Sequence, residues 1–350
     1  MKHRGGLIVL AACGFAVVLA SLLPSLAAPV EVAKPTVDLS IYRRVAQIGW
    51  VVKDLGSVVG YWETLGVKNV HRAGVLEFQD IAYRGKKTPL SFKMAVGQIG
   101  DVQIEWVQPV KGKSVFDEFL SKHGDGIHHL AFPVPTLEKL QEQLKYFKSK
   151  GVTPVQSGTW QGTKGAGHFA YVDLGSQGAG LTIELFYNPD LPPAGAQAQN
   201  EYPLNQIAHY AMVVRDLKKV GVFYERLGFG GMPVDHVDLT QLNYRGQPGK
   251  FDMNLGWWHW QTLPVEWIEP LVGPSIYDEH LKEHGEGFHH LGFIVTDMHA
   301  AIEMLTAKGA PVSQNGGWDA PAGQGRFAYL DTDAHGGVTL ELIWNKPRSQ

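Results

Sequence analysis

Eight side chains in apolar segments of the sequence have the chemistry of metal ligands. Two glutamates stand in strongly apolar surroundings, one between Ile104 and Trp106 and one between Leu340 and Leu342. A carboxylate in such surroundings is costly to bury unless a partner neutralises it. A divalent cation is such a partner, and it also binds imidazole nitrogen. The candidate ligands are Gln47, Glu105, His129 and Glu184 in the first half of the chain and His209, Glu266, His290 and Glu341 in the second half.

Each candidate also has a simpler interpretation, because a single strand glutamate often faces solvent and a single strand histidine is often structural. The matching sets in the two halves favour metal ligation, and more so in the second half, where His209 replaces the neutral, weaker ligand Gln47. Strand alternation is expected to turn His128 and His289 to the opposite faces, as supporting or structural groups. Nitrogen and oxygen ligands suit Zn, Ni, Co, Mn or Fe, so the identity of the metal stays open.

The spacing of the candidates shows that the chain is an internal repeat. Three of the four corresponding pairs of candidates in the two halves are 161 or 162 residues apart, for example His129 and His290 at 161. Within each half the pattern occurs twice: a short apolar strand, a polar helix cap, a helix that ends near glycine, and further strands. The expected caps are Asp54, Thr136, Asp216 and Thr296 or Asp297, and the expected terminal glycines are Gly66, Gly151, Gly228 and Gly309.

These four units each have the pattern β-α-β-β-β, which predicts an α+β fold. Because the units pair into a longer repeat, we expect two modules, one over residues 43–190 and one over residues 205–346. A stretch rich in Pro, Ala and Gln predicts a linker over residues 191–204.

The N-terminus has the composition of a secretory signal peptide. A basic start precedes an apolar run, and Ser25-Leu26-Ala27 places small residues at the expected cleavage site. We predict a signal peptide over 1–27, a linker over 28–42 and export to the periplasm or the extracellular space, with no stable membrane insertion after cleavage. An uncleaved anchoring helix is the alternative. Cys13 is the only cysteine, so the mature chain would have no thiolate ligand.

The charge and the aromatic content limit the kind of partner. The formal net charge is -3 and there is no basic block, which argues against a nucleic acid. A dense group of tryptophans is compatible with packed core or with an apolar pocket. This group consists of Trp257, Trp258, Trp260 and Trp267. The expected partner is a small-molecule substrate that is apolar or aromatic in part.

Three segments resemble the vicinal-oxygen-chelate superfamily, in particular glyoxalase I and methylmalonyl-CoA epimerase. They are Gly126-Ile127-His128-His129-Leu130-Ala131-Phe132, the Ile-Glu-Trp-Val-Gln-Pro of 104–109 and the Leu-Thr-Ile-Glu-Leu of 181–185. The resemblance implies that each module forms a cupped mixed sheet around one divalent metal ion. It also implies that the second-half ligands match the His/Glu/His/Glu set of bacterial-type glyoxalase I, and the first-half ligands the Gln/Glu/His/Glu set of the animal-type enzyme.

The resemblance further implies a chemistry in which two neighbouring substrate oxygens chelate the metal and an enolate is stabilised. A carboxylate then moves the proton, and the candidates are Glu341 or Asp252 in the second module and Glu184 in the first. An isomerase, epimerase or lyase is the leading hypothesis. An Fe(II) extradiol-type dioxygenase is the second, although Glu266 would fill a position that this class leaves open. A non-catalytic protein that sequesters a ligand is the third.

Overall fold

The structure, a computed structural model, describes residues 38–191, 200–259, 261–320 and 323–347. The predicted signal peptide, most of the first predicted linker and Trp260 lie outside the described residues. None of the helices in these ranges is long and apolar enough to cross a membrane.

The first module consists of two β-α-β-β-β units with one further helix between them. Its elements are β1 (Gln47–Val51), α1 (Leu55–Leu65), β2 (His71–Tyr83), β3 (Lys86–Ile99), β4 (Val102–Lys111), α2 (Val115–His123), β5 (Gly126–Pro133), α3 (Leu137–Ser149), β6 (Pro154–Gln161), β7 (Ala166–Asp173) and β8 (Thr182–Tyr187).

The second module repeats this order, except that the second strand of its first unit is divided into short pieces. Its elements are β9 (His209–Val213), α4 (Leu217–Arg226), β10 (Val234–His236), β11 (Leu239–Tyr244), β12 (Gln247–Pro248), β13 (Asp252–Trp258), β14 (Val265–Val272), α5 (Ile276–Glu283), β15 (Gly287–Ile294), α6 (Met298–Ala307), β16 (Val312–Ala320), β17 (Gly323–Leu330) and β18 (Thr339–Pro347).

Each module curls its strands into one mixed sheet. The first sheet is a closed barrel in the order β1-β4-β3-β2-β6-β7-β8-β5, and the second is open, in the order β10-β13-β14-β9-β15-β18-β17-β16-β11-β12. The first and last strands of each unit run parallel, as β1 does to β4 and β15 to β18, and the remaining pairs are antiparallel. The predicted α+β fold with cupped mixed sheets is therefore confirmed.

The predicted helix caps hold the helices that follow the opening strands. Each cap side chain accepts a hydrogen bond from the backbone N–H three residues further on, which satisfies one of the free donors of the first turn. These caps are Asp54, Thr136, Asp216 and Asp297. The backbone is left-handed at the glycines that follow the helices, with φ of 132° at Gly66 and 91° at Gly309.

Helices α2 and α5 were not predicted from the sequence. Each is short and begins at a serine cap, and each is tied to a β-turn by a charged pair. Arg84 binds Glu118 of α2 through two 2.6–2.8 Å hydrogen bonds. Arg245 binds Glu279 of α5 at 2.6 Å. The two predicted linkers also contain ordered structure, because Leu39–Arg43 form a 3-10 helix and Leu204 is fully buried.

The largest hydrophobic core joins the two modules. It contains side chains from both, including Trp50 and Phe132 of the first and Trp267 and Leu291 of the second. Smaller clusters fill the inside of each sheet. Because the main core is shared, we expect the modules to unfold together.

Hydrogen bonds across the module boundary predict a stability effect. The Tyr224 hydroxyl is buried and donates to the Gly178 carbonyl at 3.1 Å. Replacing Tyr224 by Phe leaves that carbonyl without its donor and is expected to lower the free energy of unfolding by about 1–2 kcal/mol. Urea denaturation followed by fluorescence measures this.

The control is Tyr210→Phe, whose hydroxyl donates to Gln261 within the second module. Both variants should shift one single transition with an unchanged slope. A second unfolding transition whose midpoint is unchanged in Tyr224→Phe would show that the modules unfold independently.

Candidate metal centre

The four candidate ligands of the second module lie on four neighbouring strands in the middle of its sheet, β14, β9, β15 and β18. The strand register places them in two rows, each with a small residue in the middle. One row is Glu266, Ala211 and His290, and the other is His209, Gly292 and Glu341. Residues in one row of a sheet point to the same face. The fold therefore directs all four side chains to the inside of the sheet.

The four side chains converge. His209 Nε2 lies 3.0 Å from His290 Nε2 and 3.1 Å from Glu341 Oε2. His290 Nε2 lies 3.3 Å from an oxygen of each glutamate, and His209 Nε2 lies 3.5 Å from Glu266 Oε2. Each residue offers one ligand atom such that these atoms all lie within 4.8 Å of one another.

This arrangement fits a bound divalent cation. Glu266 Oε2 and Glu341 Oε2 are buried and have no hydrogen-bond partner, although imidazole nitrogens are close. Two ligand atoms held at right angles by one ion at about 2.1 Å lie about 3 Å apart, which is the spacing seen here. Unpaired buried carboxylate oxygens are costly, so an ion among them removes a real penalty.

The charges of the site show why it needs a cation or protons. Burial lowers the pKa of His209, but the neighbouring Glu266 and Glu341 outweigh burial and raise it to about 9. Burial raises the pKa of Glu341, but His290 and His209 lower it to about 2. The pKa of Glu266 is lowered in the same way, against burial, by both histidines. Two carboxylates therefore stay ionised in this interior and require positive charge beside them.

The first module holds a smaller version of the site. His129 Nε2 lies 3.1 Å from Glu184 Oε2 and 3.6 Å from Glu105 Oε2. The register places Gln47 opposite Ala131, beside Glu184, at the position that His209 takes in the second module. Burial raises the pKa of Glu184, and the nearby charge of Glu105 raises it further. The single imidazole of His129 lowers the pKa but does not outweigh burial. His129 Nε2 and Glu184 Oε2 also lack hydrogen-bond partners, so this set fits a cation with fewer charged ligands.

Two glycines that the sequence analysis did not single out make room for the ligand rings. A Cβ added at Gly292 would lie 2.0 Å from the ring of His209, and one added at Gly49 would lie 1.8 Å from the ring of His129. The signal was present in the sequence, since glycine or alanine follows each ligand of the opening strands by two residues. The small residues are Gly49, Ala131, Ala211 and Gly292.

The expectation that His128 and His289 face away from the site was wrong. A β-bulge falls at each of them and breaks the alternation of side chains. His289 Nδ1 lies 2.9 Å from His290 Nδ1, and His128 makes the same contact with His129 at 3.0 Å. Each therefore holds the ring of the neighbouring ligand, which leaves the ligand's Nε2 directed at the carboxylates.

The structure does not bring Asp252 to the site. Asp252 pairs with Val272, six positions beyond Glu266 on the same strand, which is about 20 Å at strand spacing. Asp252 Oδ1 lies 3.6 Å from Nε2 of the half-exposed His236. Asp252 thus lies on the strand next to Glu266 but at its far end, so it is not a base for this site.

A cavity of about 540 Å³ opens above the second-module ligands. His209, Glu266 and Glu341 form its floor, and its walls are mainly aromatic and aliphatic. The wall residues include Trp257, Trp318, Phe327, Tyr277 and Tyr329. The tryptophan group is thus divided, since Trp257 lines the cavity while Trp258 and Trp267 are buried in the shared core.

The family of the protein follows from its sequence profile. The profile of the glyoxalase/bleomycin resistance protein/dioxygenase superfamily matches residues 46–171 and 208–329. The chain belongs to this superfamily, and each module contains one match. A search of curated proteins finds no match.

Solved structures share the fold across both modules. A triple mutant of 4-hydroxymandelate synthase from Streptomyces coelicolor superposes with a TM-score of 0.56 at 17% identity, over 88% of this chain and 94% of that chain. A xylose isomerase-like TIM barrel/4-hydroxyphenylpyruvate dioxygenase fusion protein gives 0.53 at 14% identity, over 88% of this chain and 50% of that chain. The Mn(II)-bound glyoxalase from Novosphingobium aromaticivorans gives 0.45 at 14% identity, over 86% and 82%. At these identities the first two establish a common fold.

Because Gly292 lies so close to His209, a methyl group added at Gly292 is expected to weaken metal binding. Gly292→Ala forces the imidazole out of position, and we expect metal affinity at the second-module site to fall by about 10- to 100-fold. Competition with a chromophoric chelator measures the affinity. Gly60→Ala in helix α1 is the control, because an added Cβ there has no neighbour within 4 Å. Equal affinities in the two variants would show that His209 does not bind the metal.

Proposed function

We propose that the second module is the active site of a divalent-metal-dependent isomerase, epimerase or lyase. The observation that carries the proposal is the convergence of two imidazoles and two ionised carboxylates at the floor of an apolar cavity. A site of this kind holds an ion and leaves one side open to a small molecule. Membership of the superfamily supports the same chemistry.

The cavity wall indicates the class of substrate. No lysine or arginine lies among the described residues that line it, and its charged groups are the floor carboxylates. An anionic substrate would meet negative charge without a counter-ion, apart from the metal itself. The aromatic wall instead suits a neutral molecule with a flat apolar part and two neighbouring oxygens. His259 is exposed and stacks on Trp257, at the mouth of the cavity.

The proton is assigned to Glu341. Its carboxylate lines the cavity, so the oxygen that the metal does not hold can accept a proton from a carbon beside the substrate carbonyl. When bound, the metal acts as a Lewis acid that polarises the substrate oxygens. Burial raises the pKa of Tyr329 and Tyr277, so both phenols stay protonated, and their hydroxyls are 2.9 Å apart at the cavity wall. Tyr277 donates to Tyr329, so the O–H of Tyr329 is the one that can donate to a substrate oxygen that gains negative charge.

We assign the first module a non-catalytic role. Gln47 replaces one imidazole there, and the pKa of Glu184 is raised, so its carboxylates are less fully compensated. The first module thus provides a matched control, because a substitution there changes the equivalent strand position outside the active cavity.

A dioxygenase is the second candidate function. His209, His290 and Glu341 are two imidazoles and one carboxylate, the ligand set of non-haem Fe(II) oxygenases. Glu266 is within reach of both histidines and would occupy one of the positions that oxygen or substrate needs. Iron in the purified protein together with oxygen uptake on addition of a catechol would favour this function over the first.

Hydrogen exchange tests the proposal without knowledge of the natural substrate. In D₂O the full chain loaded with metal should exchange the carbon-bound hydrogens of 2-hydroxyacetophenone, a neutral aromatic hydroxyketone, as followed by NMR. His290→Ala removes a ligand and should lower the exchange rate by at least about 100-fold. His129→Ala, at the equivalent position of the first module, should leave the rate unchanged.

The charge of the probe tests the substrate class. Mandelate and its neutral amide have the same ring and two neighbouring oxygens and differ in charge. We expect the anionic mandelate to inhibit the exchange of 2-hydroxyacetophenone less strongly than mandelamide does, because no basic side chain lines the described cavity. Stronger inhibition by mandelate would contradict the proposed preference. The absence of exchange with 2-hydroxyacetophenone in the metal-loaded chain would contradict enolate chemistry.

A further inference from the structure

A second group of potential ligands lies outside the cavity, where helix α5 meets the short 3-10 helix Asp333–His335. Glu283, His284 and Asp333 each offer a ligand atom, and these atoms lie within 4.8 Å of one another. His284 Nε2 is 3.3 Å from Asp333 Oδ1. None of these three residues takes part in the proposed catalytic steps.

His280 packs beside this group. It precedes His284 by four residues on α5, a spacing that places two imidazoles on one face of a helix, and their ring centroids are 5.1 Å apart. His280 is only 7% exposed, and its Nε2 has no hydrogen-bond partner. An unpaired, buried imidazole therefore lies next to His284.

The ring of His284 is already oriented as a ligand ring requires. Its Nδ1 lies 2.6 Å from the carbonyl oxygen of His123, so Nδ1–H donates to that carbonyl. This contact fixes the tautomer that leaves Nε2 free, as a backbone carbonyl commonly does for metal-bound histidines. His284 Nε2 has no hydrogen-bond partner, in spite of the nearby Asp333 carboxylate.

The surroundings favour a cation. A cavity of about 620 Å³ adjoins the group, and four carboxylates and two basic side chains line it. One of the basic side chains, Arg245, is bound to Glu279 and Asp331 and therefore does not neutralise the remaining carboxylates, Glu283 and Asp333. The cavity accordingly has an excess of negative charge.

The first module shows that the fold does not require these residues. It has the same helix and the same 3-10 turn, and His123 occupies the position of His284 with the reciprocal bond to the His284 carbonyl at 2.5 Å. Phe119, Lys122 and Ser176 stand where the second module has His280, Glu283 and Asp333. Phe119 contacts the rings of His123 and His128, just as His280 contacts those of His284 and His289. The ligand chemistry is therefore specific to the second module.

We propose that Glu283, His284 and Asp333 form a second metal site, which takes a divalent ion of the Zn²⁺ class. One imidazole and two carboxylates, with water in the fourth position, are a set that this class accepts in four-coordinate geometry. An ion there would link helix α5 to the 3-10 turn at the module boundary. Because α5 also carries Tyr277 into the catalytic cavity, the ion would stabilise one wall of that cavity.

The test uses the full chain freed of metal by a chelator and titrated with Zn²⁺ alone. Metal analysis after equilibrium dialysis gives the number of ions per chain, and thermal unfolding gives the change in Tm. The variant His280→Phe/Glu283→Lys/Asp333→Ser carries the first-module residues at the same backbone positions, so it should fold. We expect it to bind one Zn²⁺ ion fewer than the unchanged chain and to show a smaller rise in Tm with Zn²⁺.

Three further measurements distinguish a loss at this site from other effects. Asp333→Asn alone should weaken Zn²⁺ binding by about tenfold or more while preserving shape. His299→Ala/Glu303→Gln removes an exposed pair on α6 with a similar i,i+4 spacing, and it should change nothing. In a His290→Ala background, which lacks a ligand of the catalytic site, the triple variant should still bind one Zn²⁺ ion fewer. This comparison distinguishes loss of metal at the catalytic site from loss of metal at the second site. Equal Zn²⁺ counts and equal Tm shifts for the triple variant and the unchanged chain would overturn the proposal, as would an equal loss in the α6 variant.

Discussion

Two ionised carboxylates facing two imidazoles inside an apolar sheet are the constraint on which the second module depends. Glu266 and Glu341 are at least nine-tenths buried, and their free oxygens have no hydrogen-bond donor. In such an interior the charges must be balanced by protons on the histidines or by a cation. The arrangement of the strands serves this balance, since it places the four ligands in two adjacent rows around Ala211 and Gly292.

The two modules show how the same backbone supports different electrostatics. Gln47 in place of His209 removes one imidazole, and the pKa of Glu184 is raised where that of Glu341 is lowered. The shared hydrophobic core fixes both modules in one body, so this difference lies in the side chains and not in the fold. A repeated chain can in this way keep one module for chemistry and the other for support.

Much of the site was predictable because it depends on patterns within short segments of the sequence. The helix caps, the strand openers and the 161-residue spacing are properties of short segments, and they were enough to place all eight candidate ligands on the correct strands. Alternation failed at His128 and His289 because a β-bulge depends on the pairing of two strands, which a single segment does not reveal. Asp252 was a candidate base by its sequence, but the register of its strand with β14 shows that it lies at the end far from the ligands.

The cavity and the second cluster were not predictable for a related reason. The cavity wall draws on strands that are far apart in sequence, so the fate of Trp257, which lines it, differs from that of its neighbour Trp258, which is core. The pair His280 and His284 has helical spacing, but α5 itself was missed, and the contact with Asp333 depends on how the 3-10 turn folds back.

Anomalous diffraction from crystals of the full chain tests the central claim most directly. The account predicts one peak at about 2.0–2.3 Å from His209 Nε2, His290 Nε2 and one oxygen each of Glu266 and Glu341. A map without a peak at this position, in which the two carboxylates bond directly to protonated imidazoles or turn towards solvent, would contradict the account.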